Sequence, residues 1–103
     1  MKALSKNKLY EVERVNNFRE LLTRSNNLFS NKIAFIYKNN PKDSNYISHT
    51  YKDVYSDVKF LGTSLLSLNL PKKRIAIIGP NRYEWCISYL AITTSGMVVV
   101  PLD

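Results

Sequence analysis

Cysteine and histidine are nearly absent from this 103-residue chain, which has one of each, Cys86 and His49. A single cysteine excludes an internal disulfide, and the usual zinc ligands cannot form a cluster, so no structural metal is expected. Glycine is scarce as well. Gly62, Gly79 and Gly96 stand far apart, and neither the phosphate-binding P-loop pattern nor the dinucleotide fingerprint is present. No apolar run approaches the roughly 20 residues of a membrane span, and Met1 to Lys8 lacks the apolar stretch of a signal peptide. The expectation is a cytoplasmic protein.

What is present describes a globular chain. Hydrophobic residues make up 45% and aromatics 12%, enough material for a core. The length has room for one domain, and a chain this short buries only about two-thirds of its unfolded surface. A net charge of +7 raises nucleic acid, phosphorylated ligands and anionic membrane as partner classes. The fifteen Lys and Arg are spread out, however, and the densest cluster is only Lys72-Lys73-Arg74. A phosphate-tracking groove needs clustered charge interleaved with exposed aromatics, so a solvated surface is expected and nucleic acid is not.

The rest of the chain is organised around residues 74–103, RIAIIGPNRYEWCISYLAITTSGMVVVPLD. The apolar runs 75–78 and 97–100 show no polar alternation, as expected of strands covered on both faces. Between them, Gly79-Pro80 breaks the chain and Asn81 is a good N-cap residue, with Glu84 three positions on where a capping-box partner sits. A helix should begin near Arg82, run through Trp85, Cys86, Tyr89, Leu90 and Ile92, and stop at Gly96, a favoured residue for a left-handed C-terminal cap. Strand, helix, strand at this length predicts a parallel pair with a right-handed crossover.

Taken in order, residues 1–8 are expected to form a polar, disordered leader. Residues 9–15, LYEVERV, alternate loosely and suggest a short strand. From Asn16 or Asn17, Phe18, Leu21, Leu22, Leu28 and Phe29 recur at roughly helical intervals and predict an amphipathic helix ending near Phe29. Ile33 to Tyr37 and Tyr46 to His49 read as strands joined by a polar loop holding Asn39, Asn40, Pro41 and Asp43, hence an antiparallel hairpin. Thr50 then N-caps a second helix, with Asp53 at the capping-box position and Val54, Val58, Leu61 and Leu65 on the apolar stripe. Gly62 interrupts that stripe, where glycine costs about 1 kcal/mol against alanine, and close approach by another element would account for it.

The hairpin, the Thr50-Tyr51 helix start, the strand RIAIIG, the pentapeptide Asn81 to Trp85 and the closing Val100-Pro101-Leu102-Asp103 together resemble the opening of an adenylate-forming, AMP-binding enzyme. More closely, the chain is similar to the N-terminal part of AMP-forming long-chain acyl-CoA synthetases, from about Tyr10 to Asp103. The resemblance implies an α/β fold, with residues 9–103 an incomplete N-terminal part of the AMP-binding domain. It implies fatty acid, ATP, magnesium (Mg2+) and coenzyme A (CoA) as substrates and cofactors of the parent, and the remainder of that domain as the partner of this segment.

The family's phosphate loop, adenine- and ribose-binding motifs and catalytic lysine have no counterpart in this sequence, so none of its residues is assigned a catalytic, cofactor-binding or metal-binding role. The physics agrees. Activating a carboxylate with ATP calls for donors that cradle phosphates and a metal ion to spread charge. Little material follows the last strand to cover a sheet face, and the sequence reads as a piece of something larger.

Each tempting residue has a plainer reading. The Asn81 helix start suits an anion, but Asn81 and Glu84 can serve those donors themselves. His49 lacks a nucleophile or orienting carboxylate that sequence can place beside it, and a strand histidine is expected. Cys86 is expected as a buried, inert thiol. Trp85, Tyr83 and Tyr89 suit base stacking or an acyl channel, but at helical spacing core or subunit contact is favoured. Lys72 to Arg74 suits peripheral contact with anionic lipid, though a solvated turn is the simpler account.

The leading expectation is a segment of an AMP-forming fatty acid–CoA ligase that is inactive alone. The alternative is a free-standing basic α/β module binding an anion or nucleic acid. A third reading is a segment that completes its sheet against a separately encoded chain.

Overall fold

The computed structural model describes residues 10–103, so the expected leader lies outside the described residues. The strand expected over 9–15 does not form from Tyr10 onward: residues 10–16 carry no regular structure, and Tyr10 is 84% exposed. Alternation makes a strand only when one face is buried, and here it has nothing to bury against.

The first helix, α1 (Phe18–Phe29), starts where the apolar spacing changes. Asn17 Oδ1 accepts from the Glu20 N–H at 2.8 Å, and the Glu20 carboxylate accepts from the Asn16 N–H at 2.9 Å. Strand β1 (Ile33–Tyr37) then pairs antiparallel with β2 (Ile47–Thr50), with a register irregularity between Ile33 and Phe35. The connecting loop holds itself together through Asn40 and Asp43, whose side chains accept from the Lys42 and Asn40 N–H groups.

Helix α2 (Tyr51–Ser67) opens on a complete capping box. The Asp53 N–H donates to Thr50 Oγ1 at 3.2 Å and the Thr50 N–H donates to Asp53 Oδ2 at 2.8 Å. Its first two amides are also tied to the preceding turn, Tyr51 N–H to the Lys32 carbonyl and Lys52 N–H to the Ser30 carbonyl. The helix ends at Leu68, followed by Asn69 in the left-handed region at φ 50°. After glycine, asparagine is among the residues that tolerate that conformation best.

Strands β3 (Arg74–Ile77) and β4 (Val98–Pro101) pair in parallel, with helix α3 (Tyr83–Thr94) between them in sequence. Gly96 takes φ 76° just past α3, and the Met97 N–H returns to the Ile92 carbonyl at 3.1 Å. This is a left-handed helix terminus sealed by an apolar pair, with both Ile92 and Met97 buried.

Two expectations need correction here. The N-cap of α3 is Arg82, extended at φ −133° and ψ 167°, and it makes no side-chain capping bond. Asn81 lies one residue outside the cap, and Glu84 is therefore second in the helix, where it cannot close a box. The burial of Tyr83 against α2 and the hairpin accounts for this register, because it fixes which residue opens the helix. The strands β3 and β4 are also not covered on both faces. Ile78 is 73% exposed, and Val98, Val100 and Leu102 are exposed as well. Within the described residues α3 is the helix packed on this pair, and one helix covers one face.

The core lies where α2 and α3 cross. Val54, Val58, Tyr83, Ile87 and Ala91 form it, with Leu22 of α1 and Phe35 and Tyr37 of β1 packed against it. Gly62 marks the closest approach: a side-chain carbon there would press into Ser95 Oγ and lie 3.5 Å from the Ala91 carbonyl. The helix crossing thus explains the glycine inside the apolar stripe.

Candidate functional site

Three places gather the side chains that the sequence singles out. The first is the β3–α3 turn. Ile78, Gly79, Pro80, Arg82, Glu84 and Trp85 line a shallow cleft of about 440 Å³ at the start of α3. The first-turn N–H groups receive no side-chain cap, so Asn81 does not serve them. Glu84 stands over this end instead, its carboxylate 3.4 Å from Arg82 Nε, and an acidic side chain in the first turn complements the helix dipole. A side-chain carbon at Gly79 would meet Trp85 Cδ1 at an ordinary 3.9 Å, so the turn is not a backbone cradle that glycine alone permits.

The second is an aromatic seam joining the hairpin to α2 and α3. Alternation along β1 puts Phe35 and Tyr37 on one face, and β2 brings His49 opposite Phe35. The His49 ring lies flat on Tyr83, with centroids 3.8 Å apart and planes 4° from parallel. Its Nε2 is 3.1 Å from the Tyr37 hydroxyl, and Phe35 meets Tyr83 edge-on at 5.3 Å. The Tyr83 hydroxyl donates to Asp57 Oδ2 of α2 at 2.6 Å. Burial first, and the Asp57 carboxylate second, hold the Tyr83 phenol far above its ordinary pKa.

His49 is therefore a strand histidine whose partners are two phenols, and the seam places neither a serine nor a cysteine on it. Tyr83 is core, as its helical spacing suggests. That Tyr37, His49, Tyr83 and Asp57 meet is not legible in the sequence. The available signal was the Phe35/Tyr37 alternation, and the cross-strand register that completes the group is tertiary information.

The third place is the outer side of α3. Trp85 and Tyr89, one turn apart, stack with centroids 5.5 Å apart, and Tyr89 also meets Phe18 of α1 edge-on at 6.5 Å. Cys86 is half-buried rather than enclosed, contrary to expectation. It borders a hollow of about 380 Å³ between α3 and β1, which leave that side of the helix open. Across the helical layer, Arg19 Nε and Nη2 both donate to the Thr94 carbonyl, at 3.1 and 2.5 Å, at the end of α3.

A family model for AMP-binding enzymes matches residues 22–103. The chain belongs to the AMP-binding enzyme family. Among its curated relatives, long chain acyl-CoA synthetase 4 of Arabidopsis thaliana is 36% identical over 77 residues, covering 64% of this chain and 12% of the relative. Long chain acyl-CoA synthetase 5 of the same plant is 41% identical over 64 residues, 61% of this chain and 10% of the relative. A D-alanine–D-alanyl carrier protein ligase of Streptococcus pneumoniae strain 70585 is 36% identical over 56 residues, 53% of this chain and 11% of the relative. The chain thus spans about a tenth of the length of these relatives.

The β3–α3 turn does not fit the phosphates of a nucleotide. The β3–α3 turn is not a cradle, a carboxylate stands at the helix start, and no group of three His, Cys, Asp or Glu residues is placed to hold a metal among the described residues. In this member of the AMP-binding family the described residues form a capped hairpin–helix unit and a parallel pair bound together by the α2–α3 crossing.

Proposed function

We propose that this chain is the opening scaffold of an AMP-forming long-chain fatty acid–CoA ligase. The overall reaction joins a fatty acid to coenzyme A through a thioester and converts ATP to AMP and pyrophosphate. In this reading the ATP, magnesium and coenzyme A sites lie in other segments, and the chain is inactive by itself. The observation that carries the fatty-acid reading is the reach of the similarity. It extends over 64 and 77 residues in the two plant acyl-CoA synthetases and over 56 in the D-alanine ligase. The open apolar face of β3 and β4 supports a scaffold that packs against further parts of the enzyme. A cytoplasmic location belongs to the same proposal.

The test is pyrophosphate release in the presence of ATP and magnesium. Native product captured from the host with an antibody to this chain should release pyrophosphate with palmitate and need coenzyme A to form a thioester. Release driven by D-alanine instead would replace the fatty-acid substrate. Turnover by the purified 103-residue chain itself would overturn the scaffold reading.

A further inference from the structure

From Val58 to Tyr83 the sequence has five Lys and Arg and no carboxylate, a one-signed stretch inside a chain that otherwise mixes its charges. The fold gives that stretch a shape. The end of α2 and the turn into β3 present Leu66, Leu68 and Leu70 to solvent, with Leu68 62% exposed, and Lys72, Lys73 and Arg74 follow immediately, all exposed. The leucines and the cations thus share one exposed tip at the end of α2, apart from the open face of β3 and β4.

These three cations differ from most others in the described residues. Arg19 is held by the Thr94 carbonyl, Arg24 and Arg82 pair with carboxylates, and three lysines lie over aromatic rings. Among the described residues, Lys72, Lys73 and Arg74 have no such partner. Exposed leucines next to unpaired cations suit a surface that is apolar inside and anionic outside. A polyphosphate strand would use the cations, but it would leave the leucines in water, since bases stack on aromatic rings and this patch has none.

We infer that the α2–β3 turn is a membrane-docking tip, in which Leu66, Leu68 and Leu70 enter the interface of an anionic bilayer while Lys72, Lys73 and Arg74 hold the head groups. Docking here needs no turnover, so the inference stands or falls separately from the ligase reading.

Co-sedimentation of the 103-residue chain with vesicles tests it. Vesicles of phosphatidylcholine with about a third phosphatidylserine should retain the chain at low salt, and pure phosphatidylcholine should not. Lys72→Gln with Lys73→Gln should weaken retention about 25-fold, at about fivefold per charge, and higher salt should remove most of that difference. Leu68→Ser should weaken it about tenfold at either salt concentration. All these side chains are exposed, and circular dichroism of each variant checks that the fold is retained. Retention unchanged by Leu68→Ser, equal retention on both vesicle types, or tight binding of single-stranded DNA with none to vesicles would each overturn the inference.

Discussion

Arg19 of α1 places both Nε and Nη2 on the main-chain oxygen of Thr94, in the last turn of α3. A helix leaves its last carbonyls without internal partners, and the charge there is partially negative. A guanidinium satisfies both conditions and joins α1 to α3. Arg19→Ala should lower stability by about 1 kcal/mol, the worth of a charge-assisted bond at a wetted site. Arg19→Lys should restore part of this. Urea unfolding at low and high salt checks both, and the loss should shrink as salt rises.

The capping box makes a prediction about acid. Bonds from the Thr50 backbone and hydroxyl hold the Asp53 carboxyl below its ordinary range. Because the folded pKa is lowered, the stabilisation is present above the unfolded pKa and is lost as pH falls through the folded one. The stability difference between the native chain and Asp53→Asn should therefore be full at neutral pH and fade at lower pH. Thr50→Ala should cost about 1 kcal/mol at neutral pH. Paired denaturant titrations at neutral and acid pH measure both.

At the α2–α3 crossing two effects oppose each other. Gly62→Ala gains about 1 kcal/mol of helix propensity but drives a methyl group into the Ser95 hydroxyl. The serine can rotate, so the single variant should be nearly neutral. With Ser95→Ala already in place, adding Gly62→Ala should gain about 1 kcal/mol. Gly62→Leu, which no rotation accommodates, should be strongly destabilising. A thermal-melt double-mutant cycle reads the coupling.

Tyr83 predicts behaviour in alkali. Its folded pKa is raised, so its contribution is present below the unfolded value of about 10 and is lost as pH climbs through the folded value. Tyr83→Phe removes that term together with the Asp57 bond, costing about 1 kcal/mol at neutral pH. Above pH about 10 its stability should fall less steeply than that of the native chain. Fluorescence-monitored unfolding across the alkaline range would reveal parallel curves if Asp57 and burial had no such effect.

Local chemistry was legible in the sequence. Thr50 with Asp53, and Gly96, bound helices because their own side chains, or the lack of one, fit the first or last turn, whereas the choice of Asn17 over Asn16 as the cap of α1 came only with the structure. Gly62 was legible as a close approach, though not which helix came close. Asn81 misled because a capping-box spacing names a box only after the first helical residue is fixed, and the packing of Tyr83 fixes it. The 9–15 alternation misled because period two requires a buried face that the chain does not supply. For the candidate site, the single residues His49, Tyr83 and Cys86 were visible, but their neighbours were not. Stacking of His49 on Tyr83 depends on the α3-to-hairpin docking, and the openness around Cys86 depends on what β1 leaves uncovered.

The tie between the first amides of α2 and the carbonyls of Lys32 and Ser30 has a kinetic consequence. It closes around a hairpin whose innermost partners, Tyr37 and Ile47, are near in sequence, so the segment from Ser30 to the middle of α2 can fold on local contacts. β3 and β4 must wait for α3 to be made between them. The hairpin turn is shorter than the crossover between β3 and β4, and shorter loops close at a lower entropic cost. Pulse-labelled hydrogen exchange during refolding should protect the Tyr51 and Lys52 amides before that of Val98. The order of protection would make the hairpin–helix unit a nucleus on which the parallel pair assembles.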